Sequence, residues 1–231
     1  AQVDALTRRV TRYADTGNTA PAGLAQAEAD VRGSIEQLDR LVQDRIIATE
    51  AQTARLRAGL VATTELLEIA DTLVANAQMG TAAAISNLYD LEGTAPDTDT
   101  RLDTLDKLIE VDLFRQGLMS EMRSHIGEVG LLLNRIVTAQ NHAELAQLQT
   151  TLEGRIDIVT RRILAVNDPT RAERALSLLQ MIRPSSAPPP DAEDLLNLTK
   201  GILDLNSLIA EAQGKVSAAA GRLDDDAQAL A

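Results

Sequence analysis

The sequence has almost no aromatic residues: Trp is absent, and only Tyr13, Tyr89 and Phe114 carry an aromatic ring. β-Sheets cover their pleated faces largely with aromatic and β-branched side chains, so this scarcity argues against a sheet protein. Hydrophobic residues still make up 45% of the 231 residues, which is enough for a core. The chain is rich in Ala and Leu, as helix bundles are. We therefore expect an all-α fold.

Cysteine is also absent, which excludes disulfides, Cys-ligated metal centres and a thiol nucleophile. Two histidines, His125 and His142, are too few for a multi-His metal site. The sequence contains no Gly-rich phosphate loop, no zinc-protease motif and no di-iron bundle motif. We therefore predict no catalytic residues, no metal site and no cofactor, and a non-enzymatic role for this part of the protein.

Positive charge is scarce as well, since 22 basic residues face 34 acidic ones and the net charge is −12. Affinity for nucleic acid comes largely from neutralising phosphates, so we predict no nucleic-acid partner. The same charge disfavours docking on an anionic membrane surface. No run of about 18 apolar residues occurs, and no membrane-spanning segment is predicted. The sequence starts in a helical pattern without Met or a signal peptide, so we expect it to be part of a longer protein.

Proline marks the expected helix ends, because it interrupts a helix interior but is tolerated in the first turn. The seven prolines fall in four places along the chain. Asn141 and Asp191 are predicted N-caps, and Asp168-Pro169 is predicted to open another helix. The predicted helices cover, in order, residues 1–15, 20–92, 98–139, 141–166, 169–183 and 191 to the C-terminus.

The predicted helix 20–92 is unusually long, about 70 residues or roughly 105 Å at 1.5 Å per residue. Apolar residues at spacings of three and four predict a bundle seam along it. This predicted seam comprises Val31, Ile35, Leu38, Val42 and Ile46, and then Leu56, Leu60, Leu67, Leu73 and Val74. The seam thins over residues 48–55. Either two packed modules joined along one rod, or a helix bent or interrupted near 48–55, would produce this pattern.

Polar residues interrupt the seam of the predicted helix 98–139, which runs through Leu102, Leu105 and Ile109 and resumes at Ile126, Val129, Leu133 and Val137. The interrupting residues are Asp112, Gln116 and Arg123. Buried polar groups need partners, so these residues either pair with each other and with neighbouring helices, or line a pocket for a small polar ligand. In the second case Arg115 or Arg123 would clamp an anion.

A run of small residues covers positions 75–87. Asn76, Gly80, Ala83 and Asn87 fall on one side of the helix at helical spacing. Small side chains let helix axes approach closely, so this face predicts either tight intramolecular packing or a sliding or partner-binding surface. With so few aromatics, we expect an interface to depend on Arg, on Leu, and on Tyr89 or Phe114.

Two stretches resemble a known family. Residues 72–91 read TLVANAQMGTAAAISNLYDL, and residues 105–123 read LDKLIEVDLFRQGLMSEMR and lead into LLLN at 131–134. Both resemble the extracytoplasmic sensor domain of TorS-type histidine kinases, which belong to the trimethylamine-N-oxide respiration system. Together the two stretches cover less than a quarter of the chain.

The resemblance implies a two-component receptor. It implies one sensor domain over 1–231, made of long antiparallel helices in two stacked four-helix bundles that share the helix 20–92. It also implies a periplasmic location in a membrane-anchored, inner-membrane kinase that works as a homodimer. The ligand would arrive on a TorT-like periplasmic binding protein, and the sensor would transmit a conformational signal across the membrane.

Two alternatives remain open at this point. One is a chemoreceptor-type bimodular domain that binds a small polar ligand directly. The other is a structural helical scaffold. The predicted ligand or partner residues are Asn76, Gly80, Asn87, Tyr89, Asp112, Arg115, Gln116 and Arg123.

Overall fold

The computed structural model describes residues 22–92, 98–166, 168–184 and 194–228. These residues are almost entirely helical, and no strand occurs among them. The expected all-α class is confirmed. In chain order the elements are α1 (Ala22–Glu92), α2 (Thr98–Lys107), a π-helical segment (Leu108–Leu113), α3 (Phe114–Val137), α4 (His142–Leu164), α5 (Pro169–Ile182) and α6 (Leu195–Gln228).

The chain divides into two compact units. Unit 1 comprises residues 1–50 and 201–231, and unit 2 comprises residues 51–200. Helix α1 is continuous through residues 48–55, so the alternative of a helix interrupted there is wrong. It contributes residues to both units. The predicted helix over 1–15 lies outside the described residues.

Unit 2 contains an up-and-down four-helix bundle. Ion pairs join neighbouring helices: Asp71 in α1 with Arg123 in α3, Glu121 in α3 with Arg162 in α4, and Glu65 in α1 with Arg174 in α5. Short connections at 138–141 and 165–168 make α3, α4 and α5 antiparallel neighbours. Helix α1 therefore lies between α3 and α5, and α4 completes the ring.

Two helices start where the sequence predicted them. The side chain of Asn141 accepts a hydrogen bond from the backbone N–H of Glu144 at 2.9 Å. The side chain of Asp168 accepts one from Arg171 at 3.1 Å, and Pro169 follows at the first helical position. Each acceptor satisfies one of the backbone N–H groups that a helix start leaves without an intrahelical partner.

Two predicted boundaries differ from the structure. The predicted cap Asp191 lies outside the described residues, and α6 begins after Asp194, which accepts from the backbone N–H of Asn197 at 2.8 Å. The predicted helix 98–139 is not one α-helix, because the π segment divides it. No proline or glycine occurs between 98 and 116, so the sequence carries no signal for this interruption.

The core of unit 2 is aliphatic and is supplied mainly by α3, α4 and α5. Its most deeply buried residues include Met122, Ile126, Val129, Ile136, Leu152, Ile156, Val159, Ile163 and Leu178. The predicted seam residues Ile126, Val129 and Leu133 are buried, whereas Leu102, Leu105 and Ile109 are exposed. The predicted seam of 98–139 is therefore correct only in α3.

In unit 2, helix α1 turns a face of mostly small residues to the core. Its buried residues there are Gln52, Gly59, Ala62, Thr63, Leu66, Ala70, Leu73, Ala77 and Thr81. A Cβ atom at Gly59 would lie 3.1 Å from Leu133, and one at Gly130 would lie 3.2 Å from Thr63. Close approach of α1 and α3 therefore requires these small residues.

The predicted seam of α1 is largely wrong. Of its ten residues only Val31 and Leu73 are buried. The four others in unit 2 are half-buried because they flank the small-residue face. In unit 1, Ile35, Val42 and Ile46 are 36%, 37% and 45% exposed.

A buried polar pair joins α1 to α6 within unit 2. Gln52 donates a hydrogen bond from Nε2 to Oγ1 of Thr199 at 2.8 Å, and both side chains are buried. The Thr199 hydroxyl in turn donates to the carbonyl of Leu195 at 2.8 Å. A buried amide that loses its partner loses more free energy than a hydrogen bond contributes on average. Removing one member of this pair should therefore destabilise unit 2 more than removing both.

We expect Thr199→Val to lower the free energy of unfolding by about 1–3 kcal/mol, because the buried Gln52 amide loses its acceptor. The double variant with Gln52→Leu should recover most of this loss, since no unpaired amide remains. Urea denaturation measures both effects. Thr150→Val, at an exposed threonine that also bonds to its own helix backbone, is the control. A Thr199→Val cost no larger than that of the control would contradict the role of the pair.

Candidate partner-binding surface

Helices α1 and α3 pack antiparallel, and three contacts show which residues of the two helices lie side by side. These contacts join Gly59 to Leu133, Thr63 to Gly130, and Asp71 to Arg123. When the same pairing is extended toward the C-terminal end of α1, the predicted site residues Asn76 and Gly80 lie beside Arg115. The structure confirms this proximity, because all three line one pocket of about 200 Å³.

The pocket lies where the α4–α5 connection meets α1 and α3. Besides Asn76, Gly80 and Arg115, its lining residues are Leu73, Ala77, Met119, Ala165, Val166 and Asp168. Nothing lies within 4 Å of a Cβ atom placed on Gly80. No aromatic side chain is among the lining residues. The pocket therefore has space at Gly80, and both polar and apolar residues line it.

The electrostatics of the pocket are mixed. The backbone N–H of Arg171, followed by its side-chain hydrogen bond, holds the pKa of Asp168 below its usual range. The carboxylate at the pocket is therefore ionised at neutral pH. The C-terminal end of α4, at Ala165, adds the partial negative charge of a helix C-terminus. Arg115 is the basic residue among the lining residues.

Helices α4 and α5 end at their connection. Beyond it, α1 continues on one side, and α2 with the π segment lies on the other. A pair of helices cannot enclose all of its apolar side chains. Among the described residues of 81–114, only Thr81 and Leu108 are buried. The exposed large apolar residues are Ile85, Tyr89, Leu102, Leu105, Ile109, Val111, Leu113 and Phe114.

We call the exposed side chains of 76–89 and 102–116 the hairpin surface. Tyr89 is 71% exposed and Phe114 is 63% exposed, and they are the only aromatic residues of the sequence besides Tyr13. An exposed apolar surface is typical of interaction sites. The π segment lies within the hairpin surface, and π-helical turns occur frequently at functional sites.

The remaining predicted site residues divide into two groups. Asn87 belongs to the hairpin surface, whereas Asp112 and Gln116 are half-buried. Arg123 lies outside the pocket and pairs with Asp71. Arg123 therefore serves the α1–α3 contact, and the expectation that it could clamp an anion has no support in this geometry.

The small residues at 76–87 are not packed closely against another helix of the described residues. Asn76, Gly80, Ala83 and Asn87 are all exposed. The alternative of tight intramolecular packing at these residues is therefore wrong, and the close approach of α1 and α3 occurs instead at Gly59 and Gly130.

Sequence reasoning did not identify Met119, Val166 and Asp168 as pocket residues. The cap pattern Asp168-Pro169 placed a helix start correctly, but it carries no information about which other helix lies beside that start. The exposed stripe of Leu102, Leu105 and Ile109 was assigned to the core because its spacing is that of any amphipathic helix.

Comparison with known proteins identifies the family. The family model described as "Sensor protein TorS, sensor domain" matches residues 1–207. The chain belongs to the TorS sensor-domain family. It is thus a periplasmic sensor domain of a TorS-type histidine kinase. No helix among the described residues is long and apolar enough to cross a membrane. No curated protein sequence matches the chain.

Two solved structures share the TorS-type fold. One is the crystal structure of the TorS sensor domain–TorT complex in the presence of trimethylamine-N-oxide, with a TM-score of 0.79 and 20% identity over 97% of this chain and 80% of that chain. The other is the TorS sensor domain of a V. parahaemolyticus histidine kinase, with a TM-score of 0.62 and 18% identity over 99% and 80%. At these identities the likeness shows the fold alone.

Proposed function

We propose that this TorS-family sensor domain detects a ligand-loaded periplasmic binding protein of the TorT type through the hairpin surface. The observation that carries the proposal is the exposed apolar area of 81–114 beside the pocket of Asn76, Gly80 and Arg115. The TorS sensor domain in one of the similar structures is in complex with TorT. That complex supports a binding protein as the kind of partner.

The proposed signal is a small shift of α1 against α3. Both helices line the pocket, so a partner side chain that enters it contacts both. A partner changes the conformation only as far as it binds one arrangement better than the other. Helix α1 is continuous and contributes residues to both units. A displacement of α1 at Gly80 therefore also displaces its residues in unit 1. The two units then act as one sensor domain.

Direct binding of the small ligand in this pocket is the competing proposal, and the geometry of the pocket disfavours it. The pocket is below the range of about 300–1,000 Å³ that is usual for small-molecule sites. Methylated ammonium groups are typically held by aromatic side chains, and none lines this pocket. A purely structural scaffold is disfavoured by the division into two units.

Calorimetry separates these proposals. The sensor domain is titrated with trimethylamine-N-oxide alone, and then with the TorT-type binding protein of the same organism, with and without trimethylamine-N-oxide. We expect no heat from the ligand alone and micromolar or tighter binding of the loaded binding protein. Micromolar binding of the ligand alone would reject the partner-mediated proposal in favour of direct sensing.

We further propose that the membrane-anchored kinase is a parallel homodimer, with α1 of unit 1 contributing to the contact. The exposed Ile35, Val42 and Ile46 recur at helical spacing on α1, and a two-fold interface uses the same surface on both copies. Anchoring raises the effective concentration, so we expect weak self-association of the isolated domain. Sedimentation at high protein concentration should detect dimers. Monomer alone at millimolar concentration would contradict this proposal.

A further inference from the structure

The hairpin surface carries a regular pairing of apolar and acidic residues. Three consecutive pairs follow one another along α2 and the π segment: Leu102–Asp103, Leu105–Asp106 and Ile109–Glu110. All six side chains are exposed. Because neighbouring residues on a helix point in different directions, the acids form a stripe that runs beside the apolar stripe.

Negative charge is concentrated in this part of the chain. Between residues 90 and 112 the sequence has eight acidic and two basic residues, a net −6 that is half of the −12 of the whole chain. Solubility alone does not require charge to be placed beside a stripe of exposed Leu and Ile. An apolar centre with a polar rim is the usual arrangement of a protein interface.

The negative charge of the acidic stripe favours some binding partners of the hairpin surface over others. A second copy meeting the same surface through a two-fold axis would place the acidic stripes near each other, which is repulsive. Anionic lipid and nucleic acid carry the same sign and are repelled as well. A protein surface of opposite charge is attracted.

We propose that the hairpin surface recognises a partner protein by an apolar patch bordered by Lys and Arg. This inference rests on the proposed function and specifies the chemistry of the partner's contact face. Leu102, Leu105 and Ile109 are buried on docking, and Asp103, Asp106 and Glu110 pair with basic side chains at the rim. The rim charges accelerate association and select orientation, while the apolar stripe holds the complex.

The test combines salt with charge-neutral variants. Binding of the loaded TorT-type binding protein is measured by surface plasmon resonance between 50 and 500 mM NaCl. The variant Asp103→Asn/Asp106→Asn/Glu110→Gln removes the acidic stripe with almost no change in shape. The matched control is Asp39→Asn/Asp44→Asn/Glu50→Gln, which removes the same charge from exposed positions of α1 in unit 1.

We expect the association rate of the unaltered domain to fall about tenfold or more between 50 and 500 mM NaCl. At 50 mM NaCl, the stripe variant should associate about tenfold more slowly than the unaltered domain. The control variant should keep most of the unaltered rate. Binding that is indifferent to both salt and the stripe variant would overturn the basic contact face but leave the proposed function standing. No binding of the unaltered domain at any salt would overturn both. Self-association strengthened by the stripe variant, without partner binding, would show that a second copy is the occupant.

Discussion

Replacing Gly80 with leucine should weaken binding of the loaded binding protein about 30-fold or more, a hot-spot effect, while leaving the fold intact. Gly80 lines the pocket with Asn76 and Arg115, and an added side chain there meets no atom within 4 Å at its Cβ. The leucine side chain therefore occupies the space that the partner is proposed to enter. Since leucine is also the better helix former by up to about 1 kcal/mol, stability should not fall.

The same substitution at Gly154 is the control. Gly154 is an exposed glycine of α4, also without any atom within 4 Å of an added Cβ. Gly154→Leu should retain both partner binding and the circular dichroism spectrum of the unaltered domain. Normal binding by Gly80→Leu would remove the pocket from the proposed interface.

At Gly59, 21 residues earlier in the same helix, leucine should instead destabilise unit 2 by about 3 kcal/mol. Gly59 is buried, and its Cβ position is already 3.1 Å from Cδ1 of Leu133. The added side chain must displace α3 or adopt a strained rotamer. Urea denaturation of Gly59→Leu and Gly80→Leu side by side measures the difference. Equal stability of the two variants would contradict the close approach of α1 and α3 at Gly59.

The fold class was predictable because it depends on composition and on helix ends. The scarcity of aromatics predicted an all-helical chain, and the capping residues Asn141 and Asp168 set two helix starts in the structure. Both signals are local: a cap is made by a side chain and a backbone N–H three residues apart.

Which side of each helix is buried was harder to predict, because burial depends on the neighbouring helices. Leu102 and Leu105 have the spacing of a core stripe but lie beyond the α4–α5 connection, and among the described residues no third helix covers them. Gly59 and Ala62 do not belong to a stripe of large apolar residues, so the hydrophobicity pattern did not predict their burial. They are buried because helices approach closely only where side chains are small.

The candidate site was predictable in part for the same reason. Asn76, Gly80 and Arg115 were chosen from two separate stretches, and the antiparallel register of α1 and α3 brings them together. Asp168 joins them only through the turn between α4 and α5, a contact that no spacing within one helix encodes. The role of all these residues in partner binding stays a prediction.

Amide hydrogen exchange of the sensor domain, with and without its loaded binding protein, locates the surface that the partner covers. Exchange is compared peptide by peptide in the presence of trimethylamine-N-oxide. We expect slower exchange in residues 76–92 and 98–116, with little change in the middle of α4. Protection confined to α4, α5 or unit 1, with none on the hairpin surface, would contradict docking on that surface.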